Sequence, residues 1–145
     1  MAWKTEVHAE QKYRLGTRKK SRDNKEFIYL KGVGSVVAED VVVFDEAYAT
    51  TRAIADEVGP VAVAMAAVDA TTEYGWFQIY GVCTADCADT VSADKALFLT
   101  STAGRVDDAD VAGDAIHGMF SMAAGSANSI SVFLNYPWVS DIDYA

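Results

Sequence analysis

The sequence predicts an all-β domain, a compact β-barrel or sandwich of short antiparallel strands with an extended N-terminal arm. Three observations carry this. Hydrophobic residues make up 51% of the chain, with Val and Ala supplying most of them, a composition that favours strands over amphipathic helices. The apolar segments are short, several alternate with period two, and Gly- or Asp-rich turns separate them. Only two prolines occur, Pro60 at a strand entrance and Pro137 near the end of the last apolar segment, where a missing backbone donor is tolerated. At 145 residues the chain has the size of one ordinary domain, enough to bury roughly two-thirds of its unfolded surface.

Residues 1–26 contain few aliphatics, no clear period and the charged run "GTRKKSRDNKE". Such a segment buries too little apolar surface to order itself alone, so it reads as a basic arm. A single β domain follows over residues 27–145. "FIYLKGVG" from Phe27 reads as a strand entering a glycine turn. "DVVVFDEAYATT" (40–51) reads as a strand and hairpin return, with a helix over Glu46–Val58 as the rival; adjacent Thr50 and Thr51 and a thin apolar stripe weaken the helix. "GPVAVAMAAVD" alternates Val61, Val63 and Met65 with Ala62, Ala64 and Ala66, a tightly packed strand with a large and a small face.

"EYGWFQIYGVC" (73–83) is the densest stretch. As a strand it sends Trp76, Gln78 and Tyr80 to one side and Phe77, Ile79 and Gly81 to the other. The second side is core. The first is amphipathic and is expected to be covered by a neighbouring subunit or by the arm. "KALFLTSTAGRVDDADV" then reads as strand, turn and return, and "AIHGMFSMAA" and "SISVFLNYPWV" as the last two strands. A weak echo links about 40–83 with about 95–139: both run strand, turn, return, strand, strand, and Val43 to Val63 matches Leu99 to Met119 in spacing. Two pseudo-repeats are the reading.

Charge is divided. Residues 1–31 hold nine of the twelve Lys and Arg against four acids, whereas residues 32–145 hold three against seventeen. The two parts therefore face different surroundings. A basic arm could neutralise phosphates, but the acidic body behind it disfavours nucleic acid. The longest apolar run, Gly59 to Val68, is too short for a membrane helix. The N-terminus lacks the apolar core of a signal peptide, so an unprocessed protein made inside the cell is expected.

Motifs for chemistry are thin. Cys83 and Cys87 lie far from His8 and His117 and outside metal-ligand spacing, so two reduced thiols and no metal are expected. "RVDDADVAGD" (Asp107, Asp108, Asp110, Asp114) departs from a calcium loop and lacks its closing Glu. "KGVGS" lacks the lysine of a phosphate loop. Neither histidine sits in a catalytic motif. No catalytic residue, cofactor or metal is assigned, and a non-enzymatic protein is expected.

Short glycine-punctuated strands, "YGWFQIYGV", "ALFLTSTAGRVDD" and the ending "YPWV" resemble the head decoration, or cement, proteins of tailed bacteriophages over roughly residues 27–139. The resemblance implies a β-tulip-like fold and a virion protein that binds the major capsid protein on the capsid exterior, stabilises the shell and works as a homotrimer, made in the host cytoplasm. It places Arg14, Arg18, Lys19, Lys20, Arg22 and Lys25 in a capsid-binding arm. Trp76, Tyr80, Tyr136 and Trp138 are the expected subunit contacts, since aromatics dominate interface cores. The alternatives are a host-surface or glycan-binding module, which needs exposed rings and a polar pocket, and a small enzyme collecting His117 with Cys83 or an aspartate.

Overall fold

The structure is a computed structural model and describes residues 3–125 and 129–140. The first two residues of the expected arm and the last five of the expected domain lie outside that range. After a 3-10 turn at Trp3–Thr5, eleven strands run along the described residues: β1 (Val7–His8), β2 (Arg18–Lys20), β3 (Glu26–Lys31), β4 (Val41–Phe44), β5 (Thr50–Arg52), β6 (Gly59–Ala64), β7 (Tyr74–Ala85), β8 (Ala96–Leu99), β9 (Val106–Asp107), β10 (Ala115–Ser121) and β11 (Ile130–Val139). Every ladder between them is antiparallel. The all-β class holds. The strands form one open sheet with the main order β2-β3-β7-β6-β11-β10-β8-β9, not closed into a barrel.

Side-chain alternation builds the layers. Val61 and Val63 of β6 enter the largest apolar cluster with Leu97, Leu99, Met119, Val132 and Leu134, while Ala62 and Ala64 enter a second cluster with Ile28, Leu30, Phe77 and Ile79. The small residues lie on the second side because β3, β4 and β7 pack their larger side chains there. Each buried Val, Leu or Phe contributes about 1.5–3 kcal/mol. The rival helix over 46–58 does not form: Asp45 Oδ1 accepts from the Ala47 and Ala49 amides at 2.9 and 3.0 Å and closes the turn that sends β5 back along β4. An Asp side chain offers the backbone that alternative to a helical turn.

The long strand β7 organises the rest. Its first half pairs with β3 on one edge and with β6 on the other, and its second half pairs with β11 from Tyr80↔Asn135 to Ala85↔Ile130. The pairing order β5-β4-β6-β7 recurs as β9-β8-β10-β11. Val63 faces Gln78 and Met119 faces Leu134, partners fifteen residues apart in both cases. The sequence echo thus coincides with a repeated pairing pattern joined along β7 and β11.

The N-terminal arm packs back along the sheet of its own domain. β1 pairs with the start of β7, and β2 adds to the edge of β3. Trp3 meets Phe27 and Trp76 edge-on, both with ring centroids 5.2 Å away, and Tyr13 lies 5.4 Å from Trp76. His8 Nδ1 and the Tyr29 hydroxyl are hydrogen-bonded at 2.8 Å. The segment is poor in aliphatics, but two aromatic rings and Leu15 bury enough surface to dock it on the sheet, which composition alone does not register.

Candidate functional site

The outer face of β7, β10 and β11 carries a row of rings. On β11, Val132 and Leu134 point into the core, so Phe133 between them points out; on β10 the same alternation buries Met119 and Ser121 and leaves Phe120 outside. Phe120 and Phe133 face each other across the ladder and stack at 5.6 Å. Phe133 meets Tyr80 edge-on at 5.6 Å, and Tyr80 lies 5.3 Å from Tyr136. Farther along the same pair, Trp138 stacks on His117 at 4.2 Å. Phe120, Tyr136 and Trp138 remain 40%, 43% and 44% exposed, with Val82 and Met122 open beside them.

A bulge presents Tyr136. The β10 and β11 registers jump between His117↔Trp138 and Met119↔Leu134, so that Gly118 opposes three residues, 135–137. Tyr136 adopts φ 49° and Gly118 φ 76°. A Cβ on Gly118 would stand 2.6 Å from the Asn135 carbonyl oxygen, so the bulge requires glycine there.

The tyrosine is anchored by charge. Its hydroxyl donates to Glu26 Oε1 at 2.9 Å, and Arg18 lies 3.7 Å from the other Glu26 oxygen and 5.9 Å from the Tyr136 ring centroid. The hydrogen bond to the Glu26 carboxylate, with burial and the charge of that carboxylate, raises the Tyr136 pKa above its ordinary value of 10.0. Glu26 itself is buried.

The sequence-predicted residues divide. Tyr80, Tyr136 and Trp138 stand on the outer face, Tyr80 half-buried and the other two exposed. Trp76 does not join them: it is 1% exposed, sealed on its side of β7 by Trp3, Tyr13 and Tyr29 of the same chain. The cover that this strand needs therefore comes from its own N-terminal segment. Among the basic residues, Lys19 Nζ sits 4.3 Å from the Trp3 ring centroid and Lys25 pairs with Asp23 at 3.5 Å, whereas Arg14, Lys20 and Arg22 are exposed. Arg18, Lys19 and Lys20 form the edge strand β2, and Arg22 and Lys25 lie in the turn that leads from it to β3. Sequence reasoning missed Phe120 and Phe133, and weighed His117 only as a catalytic or metal candidate rather than as the stacking partner of Trp138; the signal was the alternation of β10 and β11 around Met119 and Leu134.

The remaining polar candidates serve the fold. Asp114 accepts from the Asp56 amide, Asp107 from Ala109 and Asp108 from Ser92, so three of the four acidic-loop carboxylates close turns or tie loops. No group of three or more His, Cys, Asp or Glu is placed to hold a metal among the described residues. No disulfide joins Cys83 and Cys87, and burial pushes the Cys83 thiol up to about 12. No helix among the described residues is long and apolar enough to cross a membrane. Compared with known proteins, the chain matches no family model, no curated protein and no solved structure.

Proposed function

We propose that the chain is a non-enzymatic virion protein that docks on the outer surface of a phage capsid and stabilises the shell, with the major capsid protein as partner and a homotrimer as the working form. The observation that carries the docking reading is the ring row Phe120, Phe133, Tyr80 and Tyr136, extended by Trp138, in which Phe120, Tyr136 and Trp138 are exposed and Phe133 and Tyr80 half-buried between them. The same strand that supplies Tyr80 keeps Trp76 sealed by its own chain, so exposure is selective. Exposed aromatics gathered on a rigid sheet are the usual anchors of protein interfaces. A lattice of repeated sites lets a modest interface hold through several contacts per trimer. The phage setting comes from the sequence resemblance.

Next to the row, the Arg18–Lys20 edge lies in a chain that is otherwise strongly acidic. Such a patch supplies steering and register more than affinity. The test is cosedimentation with expanded, undecorated capsids of the phage that encodes the chain, across a salt series. Wild-type protein saturates the shell, Phe120→Ser with Phe133→Ser abolishes binding, and Lys20→Ala with Arg22→Ala slows it at low salt. Absence of saturable wild-type binding at any salt would refute the capsid reading.

A further inference from the structure

A second recognition feature lies where the β2–β3 hairpin meets the tyrosine end of the row. There Lys20, Ser21, Asn24, Lys25, Tyr80 and Tyr136, with Glu26 behind, line a pocket of about 350 Å³. Its acids are already engaged: Glu26 is held by the Tyr136 hydroxyl and Arg18, and Asp23 of the same hairpin by the Ser21 hydroxyl and Lys25. Lys20, by contrast, has no acidic partner within 4.0 Å among the described residues, and neither the Asn24 amide nor the Tyr80 hydroxyl has a hydrogen-bond partner among them. Asn24 holds φ 63° at the hairpin tip, a conformation that Asn tolerates better than most residues.

A larger cleft of about 630 Å³ beside the β4–β5 turn is a weaker candidate. Its Asp45 and Glu57 are spent on the Ala47, Ala49 and Ile54 amides and the Thr51 hydroxyl.

We propose that the hairpin pocket binds an acidic sugar, a pyranose carrying a carboxylate. The chemistry fits in three parts. An ammonium without a counter-ion takes the carboxylate, in the one stretch of an acidic chain where basic residues prevail. The Tyr80 and Tyr136 rings, 5.3 Å apart and inclined by 34°, offer an apolar wall for the C–H face of the ring. The Asn24 amide and the Tyr80 hydroxyl meet the sugar hydroxyls, and the Ser21 oxygen, whose proton goes to Asp23, is left to accept from one. A plain carboxylate would leave the tyrosine wall unused, and a neutral sugar would leave Lys20 unpaired. This inference does not depend on the capsid reading, because its probes are soluble sugars.

The experiment is saturation-transfer and chemical-shift NMR on the full chain with glucuronic acid and N-acetylneuraminic acid, against glucose and acetate. An oligosaccharide ending in glucuronic acid separates a polymer source from a free sugar acid. Both acidic sugars shift the Tyr80, Tyr136 and Asn24 signals saturably, and binding weakens as salt rises. Lys20→Ala, on an exposed strand edge, lowers affinity by about tenfold while leaving the rest of the spectrum in place. Tighter binding of the oligosaccharide assigns the pocket to a polymer end, and equal binding assigns it to the free sugar. Equal responses to glucose, equal responses to acetate, or an unchanged Lys20→Ala variant would each overturn the proposal.

Discussion

Trp3→Ala removes the centre of the N-terminal cover. Trp3 makes two edge-to-face ring contacts at 5.2 Å and lies beneath the Lys19 ammonium at 4.3 Å. Aromatic pairs contribute about 0.5–1.5 kcal/mol each beyond their area, and an exposed cation–π contact about 0.5–1 kcal/mol. Trp3 is half-buried, so the burial loss stays below that of a core tryptophan, which costs about 3–5 kcal/mol on truncation. Together these give about 2–4 kcal/mol, a fall in Tm of roughly 7–13 °C for a chain of this size. Urea unfolding followed by far-UV circular dichroism measures it, and emission from the newly wetted Trp76 should move to the red. A loss below about 0.5 kcal/mol with unshifted emission would show that residues 3–20 do not seal the sheet, and would restore the free arm.

Four further outcomes are expected. Gly118→Ala places a side chain at φ 76° and 2.6 Å from the Asn135 carbonyl, so it should cost about 1–3 kcal/mol in urea unfolding and shift the Tyr136 NMR signals. Tyr136→Phe leaves the buried Glu26 carboxylate with Arg18 alone and should cost about 1.5–3 kcal/mol. Burial, reinforced by Asp40 and Glu39 and opposed by Arg105, raises the Asp86 pKa above 3.8, so the folded state holds this proton more tightly than the unfolded state does. The stabilisation is fully present below the unfolded value and is lost as pH rises through the folded one; the stability of wild type relative to Asp86→Asn should therefore increase as pH falls from neutral towards about 4. Cys83, with its thiol pushed up to about 12, should resist iodoacetamide at pH 8 when native and react once unfolded in urea.

Much of the sheet was legible because its strands alternate cleanly. Val61 and Val63 against Ala62 and Ala64, or Phe77 and Ile79 against Trp76 and Gln78, assign faces without any tertiary knowledge. The pattern could not reveal which strands pair, since β7 splits its second edge between β6 and β11. It also could not reveal closure, and the barrel alternative gives way to an open sheet. Composition left open whether the N-terminal segment is ordered, because it averages over residues, whereas the docking rests on a few rings, chiefly Trp3 and Tyr13.

Within the candidate face, Tyr80, Tyr136 and Trp138 were readable as amphipathic aromatics on the sides of β7 and β11 away from the core. Trp76 looked equivalent on one strand, and its difference lies in what packs above it. Phe120 and Phe133 were legible in principle from the phase of β10 and β11. That phase slips at Gly118, where the bulge opposes three residues to one.

The most direct measurement is cryo-electron microscopy of expanded capsids incubated with the purified protein. The account predicts added trimeric density at regular lattice positions, with β10 and β11 turned towards a neighbouring protein surface and Phe120 and Phe133 covered. A bare shell, or bound protein whose Phe120 and Phe133 face solvent, would contradict it.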